Sequence, residues 1–247
     1  AFSVAFVLGP ILDANFSLSG IFVITAILGL LAVCILVWCI PSPAKGNSNS
    51  RLPTLEILMF PDLRILFGGV FILHAVLAAN FVSVPTAMIE SLSIRVEEQW
   101  RLYLAVISSS IILVALPIRS FSRNSQNRRH FQIAIVVLGC SEIFLSLFWH
   151  HFGFVVALTL FFTAFNYLEA IMPTLVSQKA PTSRRGTALG AYATCQFLGM
   201  FAGGLVGGTI AELIATKWVH LFATLLIIFW YWLTLSRKKR KIFPRKV

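Results

Sequence analysis

Charged residues, and acidic ones above all, are scarce in this chain of 247 residues. Only nine residues are Asp or Glu, and all charged residues together make up 12% of the sequence, against about 25% in soluble domains. Hydrophobic residues make up 58%. A soluble globule could not cover so much apolar surface with so few charges, and a disordered chain would not contain it. The composition therefore predicts a protein whose main solvent is lipid.

The motifs of the common enzyme and metal-binding classes are missing as well. The sequence contains no HExxH, GxSxG, P-loop or CxxC pattern, so we predict no catalytic residue, no metal site, no cofactor and no enzyme activity. The cysteines lie in apolar segments without paired or metal-ligand spacing, and we expect reduced packing residues at all four positions: Cys34, Cys39, Cys140 and Cys195.

Long apolar runs take up most of the chain. A membrane-spanning helix needs about 20 mostly apolar residues, and seven runs are long enough: 21–40, 65–89, 102–118, 131–149, 152–177, 186–210 and 218–236. Residues 1–12 resemble the second half of one more span. The predicted fold is an all-α polytopic membrane protein with seven full transmembrane helices and one partial helix. We expect the chain to be the end of a longer protein.

Once the spans are placed, most of the basic residues fall on one side of the membrane. Of the 20 Lys and Arg residues, 17 fall in the loops 41–64, 119–130 and 178–186 and in the tail 237–247. This asymmetry predicts a cytoplasmic location for those segments. The net charge of +11 is thus explained by membrane topology, and no nucleic-acid partner is expected.

The segment 41–64 is the best candidate for a boundary between domains. It begins PSPAKGNSNSR, a composition typical of a flexible linker, and a short interfacial helix and a plain linker both fit residues 53–61. The predicted organisation is the end of an N-terminal helical half (1–40), a cytoplasmic linker (41–64), a six-helix half (65–236) and a basic cytoplasmic tail (237–247). Transporters are often built from two such halves.

Two glutamates lie inside predicted spans, where a carboxylate is costly without a role. Glu169 shares one helical stripe with Asn166 and Pro173, and Pro173 leaves a backbone carbonyl free one turn earlier, as happens where a helix bends beside a cavity. Glu169 is either a protonatable or substrate-contacting group, or a structural carboxylate. For Glu142, and for His74 on an apolar face, a packing role is the favoured interpretation.

The span 186–210 is rich in glycine. Gly199, Gly203 and Gly207 recur every four residues, with Gly204 and Gly208 on the adjacent stripe, a pattern that allows two helix backbones to approach closely. Tyr192 and Gln196 extend the first stripe with polar groups. These two residues line a passage, or they only extend the packing face.

The chain resembles a transporter of the major facilitator superfamily, most closely its YajR-like bacterial efflux branch. Gly9–Pro10 is similar to the end of the antiporter motif in the fifth helix, and LEAIMPTLVSQKAPTSRRGTALGAYATCQFLGMFAGG is similar to the region of the tenth and eleventh helices. The resemblance implies a twelve-helix fold with alternating access and proton-coupled export of small amphiphilic molecules. It also implies cavity positions for the spans that begin at 65, 102, 152 and 186, and lipid-side positions for those that begin at 21, 131 and 218.

The resulting hypothesis is a secondary exporter in the bacterial inner membrane with a cytoplasmic C-terminus. Its partners would be a small-molecule substrate, protons, the bilayer and the N-terminal helices of its own parent protein. The predicted pathway residues are Glu169, Asn166, Tyr192 and Gln196, and the predicted packing residues are the five glycines above and Pro173. The alternatives are a seven-span receptor or channel-like bundle, and an inactive truncated gene product.

Overall fold

The computed structural model of the protein describes residues 2–39, 54–123, 128–147 and 151–236. All regular structure in these ranges is helical, which confirms the predicted all-α class. The elements are α1 (Phe2–Cys39), α2 (Thr54–Met59), α3 (Pro61–Leu92), α4 (Val96–Arg123), α5 (Arg128–Leu147), α6 (His151–Lys179), a 3-10 turn (Thr182–Arg184), α7 (Arg185–Leu213) and α8 (Thr216–Ser236). The predicted basic tail and residues 41–53 of the predicted linker lie outside the described residues.

The chain forms two compact units, Ala1–Arg51 and Leu52–Val247. The first contains α1, whose helical geometry is interrupted at Ser17, where φ is 58°. This left-handed conformation is uncommon outside glycine and ends one helix before the next begins. Beyond the interruption, Ser19–Cys39 is long and apolar enough to cross a membrane. The predicted antiporter-motif residues Gly9 and Pro10 belong to the part of α1 before Ser17.

The second unit is built around α3. Pro61 occupies the start of this helix, where its missing N–H costs no helical hydrogen bond. Residues such as Leu73, Val76 and Met88 are fully buried, because α6, α7 and α8 all pack against α3. On the other side of the unit, α5 packs against both α6 and α8.

The helices of the second unit run alternately in opposite directions. At one end, Lys179 Nζ at the end of α6 lies 3.7 Å from Asp62 Oδ2 at the start of α3. At the other end, Gln99 Nε2 of α4 donates to the carbonyl of Pro85 near the end of α3 at 3.0 Å. We call these the basic end, which carries Arg64, Arg129, Lys179, Arg184 and Arg185 together with Glu56 and Asp62, and the acidic end, which carries Glu90, Glu97, Glu98 and Glu212 together with Arg95, Arg101 and Lys217.

Within the described residues, six helices are long and apolar enough to cross a membrane: the second part of α1, then α3, α5, α6, α7 and α8. The predicted span 102–118 forms most of α4, a helix of 28 residues. Its length is sufficient for a span, but Glu97, Glu98 and Arg101 near its start make the helix as a whole less apolar than its neighbours. The predicted set of spans is therefore present as helices, with α4 the most polar of them.

Close packing between α3 and α7 follows the first glycine stripe. A Cβ atom at Gly199 or Gly203 would collide with the carbonyl oxygen of Phe71 or Ala75, and one at Gly207 would lie 2.9 Å from the Cα of Ala79. Both sets of positions advance by four residues, so the two helices run parallel and in contact over two turns. The assignment of Gly204 and Gly208 to this packing needs correction, because a Cβ at either would meet nothing within 4 Å among the residues that the structure describes.

This contact generates a prediction. Replacing Gly203 by Leu should force α3 and α7 apart, since overpacking a tight contact costs about 1–3 kcal/mol or more. We expect less folded protein in the membrane and a lower melting temperature in detergent. Gly204→Leu adds the same side chain one residue away, where space is open, and should leave both quantities near wild type. Equal effects of the two substitutions would contradict the assigned interface.

Candidate functional site

Three helices bring polar side chains together at one point inside the second unit. Gln196 of α7 lies with its Nε2 2.8 Å from Nε2 of His74 on α3 and 3.4 Å from Oε1 of Glu169 on α6. Nε2 of His74 is 3.6 Å from Oε2 of Glu169. We call these three residues the Glu169 cluster. They are separated by up to 122 positions in the sequence, so only the packed bundle assembles them.

The hydrogen bonds define how the Glu169 cluster can hold protons. Nδ1 of His74 lies 3.1 Å from the carbonyl oxygen of Val70, which can only accept, so Nδ1 carries the hydrogen. In the neutral ring Nε2 is then an acceptor, and the Gln196 amide donates to it and to Glu169. A proton added at Nε2 would turn it into a donor facing the Glu169 carboxylate. Protonation of His74 can therefore replace the arrangement that the Gln196 amide bridges with a direct ion pair between His74 and Glu169.

Exposure distinguishes the two titratable members of the cluster. The Glu169 side chain is 34% exposed, whereas that of His74 is 4% exposed. The backbone carbonyl of Glu169 also lacks its usual helical partner, because Pro173 four residues later has no N–H. Glu169 thus presents acceptor groups to a partly open region while its carboxylate contacts a buried imidazole.

The other two predicted pathway residues are placed differently. Tyr192 lies one turn before Gln196 on α7, and its hydroxyl is buried without a hydrogen-bond partner among the described residues. Asn166 does not join the Glu169 cluster: its Nδ2 donates to the hydroxyl of Ser110 on α4 at 2.9 Å. The Tyr192 hydroxyl can therefore take part in the site, whereas the hydrogen bond of Asn166 connects α6 to α4.

The sequence interpretation missed His74, which it favoured as a packing residue. The ring does pack, edge to face, against Phe165 with the centroids 5.6 Å apart. Its Nε2, however, is also the shared neighbour of Gln196 and Glu169. The glycine stripe of α7 indicated a close contact with another helix, but it did not indicate which residue of that helix would lie within reach of Gln196.

A second polar cluster lies between α3, α5 and α8. Glu142 accepts a hydrogen bond from Nδ2 of Asn80 at 2.6 Å through Oε1, and its Oε2 lies 3.0 Å from Nδ1 of His220. We call these three residues the Glu142 cluster. The Glu142 side chain is fully buried and is directed from α5 toward α3 and α8, so the expected lipid-side position of the span that begins at 131 does not place this carboxylate in lipid. His220 carried no local sequence signal beyond being a histidine in an apolar run.

Comparison with known proteins identifies the class to which this bundle belongs. The chain matches the model of the Major Facilitator Superfamily over residues 1–204 and again over residues 66–246. The chain therefore belongs to the Major Facilitator Superfamily. Together with its apolar helices, this membership makes it a multi-pass membrane protein of a transporter family.

Particular relatives refine the comparison. The chain is similar to the inner membrane transport protein YajR of Escherichia coli K12, with 30% identity over 240 residues, covering 93% of this chain and 52% of YajR. It is also similar to the uncharacterized transporter BU466 of Buchnera aphidicola subsp. Acyrthosiphon pisum, with 30% identity over 210 residues, covering 82% of this chain and 54% of the relative. The chain thus spans about half the length of these curated relatives.

The contact between Asn166 and Ser110 gives a second prediction. If Asn166 holds α6 to α4, Asn166→Ala and Ser110→Ala should destabilise the protein non-additively, with a coupling free energy of about 0.6 kcal/mol, the usual size for such bonds in membrane proteins. A double-mutant cycle on detergent unfolding measures it. Pairing Asn166→Ala with Ser108→Ala, on the same helix, provides the control. A coupling of zero for Ser110 would return Asn166 to the set of candidate pathway residues.

Proposed function

We propose that this chain forms the later part of a twelve-helix, proton-coupled exporter of small amphiphilic molecules that works by alternating access. The first unit would be the end of the N-terminal half, and residues 65–236 would form the C-terminal half. The segment 41–64, which includes α2 and the first residues of α3, would join the halves. Family membership supports this proposal, as does the coverage of about half of each relative, since superfamily members combine two six-helix halves.

The Glu169 cluster is the observation that carries the proposal of proton coupling. A carboxylate in a membrane helix is costly, and such residues commonly serve proton relays or substrate contacts. The Glu169 side chain is partly exposed, and its carboxylate lies 3.6 Å from the buried ring of His74. Gln196 lies within hydrogen-bond distance of both residues. A proton taken up here would change the ion pairing between α3 and α6, two separate helices. Proton binding could therefore bias the arrangement of the bundle.

An amphiphilic substrate is in keeping with the side chains that α7 exposes. The helix that supplies Gln196 and the Tyr192 hydroxyl also exposes the large side chains of Phe197 and Phe201. Ligand pockets in general combine apolar and aromatic walls with a few placed polar groups. A molecule with an apolar body and one polar or cationic group would match this combination, with the polar group directed to Glu169.

The orientation that we propose places the basic end, and with it the tail 237–247, in the cytoplasm of a bacterial cell. Support comes from the positive residues at that end of the second unit, which include Arg64, Lys179, Arg184 and Arg185. The acidic end would then face the outer side of the inner membrane. Substrate would leave, and protons would enter, at that end.

Glu169→Gln is the decisive test of this proposal. The amide preserves the shape and much of the hydrogen bonding of Glu169 but cannot exchange a proton. We expect near-normal expression and loss of most proton-driven efflux, measured with a fluorescent amphiphile in proteoliposomes containing the protein encoded by the complete reading frame. Glu212→Gln, the same substitution at an exposed position near the end of α7, should transport like the wild type.

Two outcomes would overturn the proposal. If the Glu169→Gln protein folds and transports normally across a range of pH, Glu169 does not couple transport to protons. If wild-type efflux is indifferent to an imposed proton gradient, the protein is not proton-coupled. Failure of Glu169→Gln to fold, with normal folding of Glu212→Gln, would instead assign Glu169 a structural role.

A further inference from the structure

The Glu142 cluster has no part in the transport cycle proposed above. Side-chain burial is complete for Glu142 and His220, and Asn80 is only 4% exposed. Removing a carboxylate and an imidazole from water is expensive even when they are paired. Each group comes from a different helix, so the folded bundle alone creates the site.

Two atoms of this cluster are buried and lack a partner. Among the described residues, neither Nε2 of His220 nor Oδ1 of Asn80 has a hydrogen-bond partner. The existing hydrogen bonds use Nδ1 of His220 and Nδ2 of Asn80, one for each carboxylate oxygen. A proton can therefore bind or leave at Nε2 without breaking either bond. This property separates the cluster from a simple packing pair.

We propose that the Glu142 cluster is a second proton-binding site, distinct from the Glu169 cluster and loaded from the acidic end. In the unloaded state Glu142 is a carboxylate, and the neutral ring of His220 carries its hydrogen on Nδ1. The cluster then has a net charge of −1, which is unfavourable in a buried site. Binding one proton neutralises it.

The loading step is a relay through the imidazole ring. A hydronium ion gives its proton to Nε2 of His220 and becomes water. The hydrogen on Nδ1 passes across the 3.0 Å contact to Oε2 of Glu142, forming an O–H bond as the N–H bond breaks. The products are a neutral carboxylic acid and a neutral imidazole that carries its hydrogen on Nε2. Asn80 keeps donating to Oε1 throughout, and release reverses the same steps.

A surface depression at the acidic end supplies the route for this proton. Its volume is about 580 Å³, and it is lined by residues of α3, α5, α7 and α8, which include Ser146 and Thr216. Ser146 lies one turn beyond Glu142 on α5, and Thr216 lies one turn before His220 on α8. One turn of α-helix is about 5.4 Å long, so the cluster lies close beneath the floor of the depression.

The other charged and titratable groups on the helices around Glu142 and His220 lie in other places, so these two residues form a separate pair. Glu90 of α3 and Lys217 of α8 line the depression, and Glu212 lies near the end of α7. Tyr103 of α4 lines a small cavity together with Asn80. On α6, Glu169 belongs to the other cluster. The hydrogen bonds of the Glu142 carboxylate to described residues are those from Asn80 and His220.

Nitrogen NMR of the histidine rings tests the proposal on the purified chain in lipid nanodiscs. The ring nitrogens of His220, assigned with His220→Gln, should switch from the Nδ1–H to the Nε2–H tautomer as the pH is lowered stepwise. Infrared spectroscopy should show a protonated carboxylic acid forming together with this switch. Both signals come from the wild-type protein, so they do not depend on whether a variant folds.

Matched variants separate this site from the one on which the proposed function depends. Glu142→Gln cannot accept the relayed proton and should abolish the tautomer switch of His220 and its infrared band. Glu169→Gln should leave both unchanged, because the two clusters share no residue. Loss of transport in Glu169→Gln with an intact His220 switch would support both sites independently.

Three results would overturn the inference. The first is a His220 tautomer that stays constant across the pH range, which would make the cluster a fixed packing element. The second is a switch that persists in Glu142→Gln, which would show that the carboxylate is not the proton acceptor. The third is a switch that disappears in a folded Glu169→Gln variant, which would make the two clusters one coupled site.

Discussion

The backbone contact between α3 and α7 is the constraint on which the rest of the second unit depends. Gly199, Gly203 and Gly207 leave no side chain between these helices, and the α3 backbone occupies the space that a Cβ atom would need. Small residues at this interval give close helix packing in membranes, where no hydrophobic effect drives association between helices. The contact fixes both the distance and the register of the pair, and it thereby brings Gln196 within hydrogen-bond distance of His74.

The position of α3 at the centre of the unit gives it two polar faces. His74 and Asn80 are six residues apart, which places them about 9 Å apart along the helix and about 120° apart around it. One is directed to α6 and α7, the other to α5 and α8. A single central helix therefore contributes to both polar clusters, and each cluster contains a glutamate from another helix.

The sequence predicted the class of fold because membrane solvent imposes strong rules on composition and helix length. It also predicted the glycine stripe that faces α3, since a four-residue interval is visible in one dimension. It ranked Glu169 above Glu142 from the neighbouring Asn166 and Pro173, but it could not show what either carboxylate contacts, because the partners lie far away in the chain. Periodicity also could not show that Gly203 packs against α3 while Gly204 does not. The position of the neighbouring helix decides which glycine stripe it contacts.

The same reasoning explains why Asn166 and Gln196 have different environments despite similar sequence signals. Both are amides on a stripe with small or polar neighbours, but Asn166 meets Ser110 of α4, whereas Gln196 meets two titratable groups. The hydrogen bond between Asn166 and Ser110 joins two groups that do not titrate, so it does not respond to protonation. An amide placed between an imidazole and a carboxylate responds to their protonation, because it can exchange the roles of donor and acceptor by rotation.

The two clusters share one scaffold. The backbone contact fixes the distance between α3 and α7, while Glu169 on α6, and Glu142 and His220 on α5 and α8, lie across side-chain interfaces. A displacement of the α3–α7 pair relative to the other helices changes the distance from Gln196 to Glu169 and the distance from Asn80 to Glu142 at the same time. The α3–α7 pair thus sets the geometry of both clusters, while each cluster has its own glutamate and its own histidine.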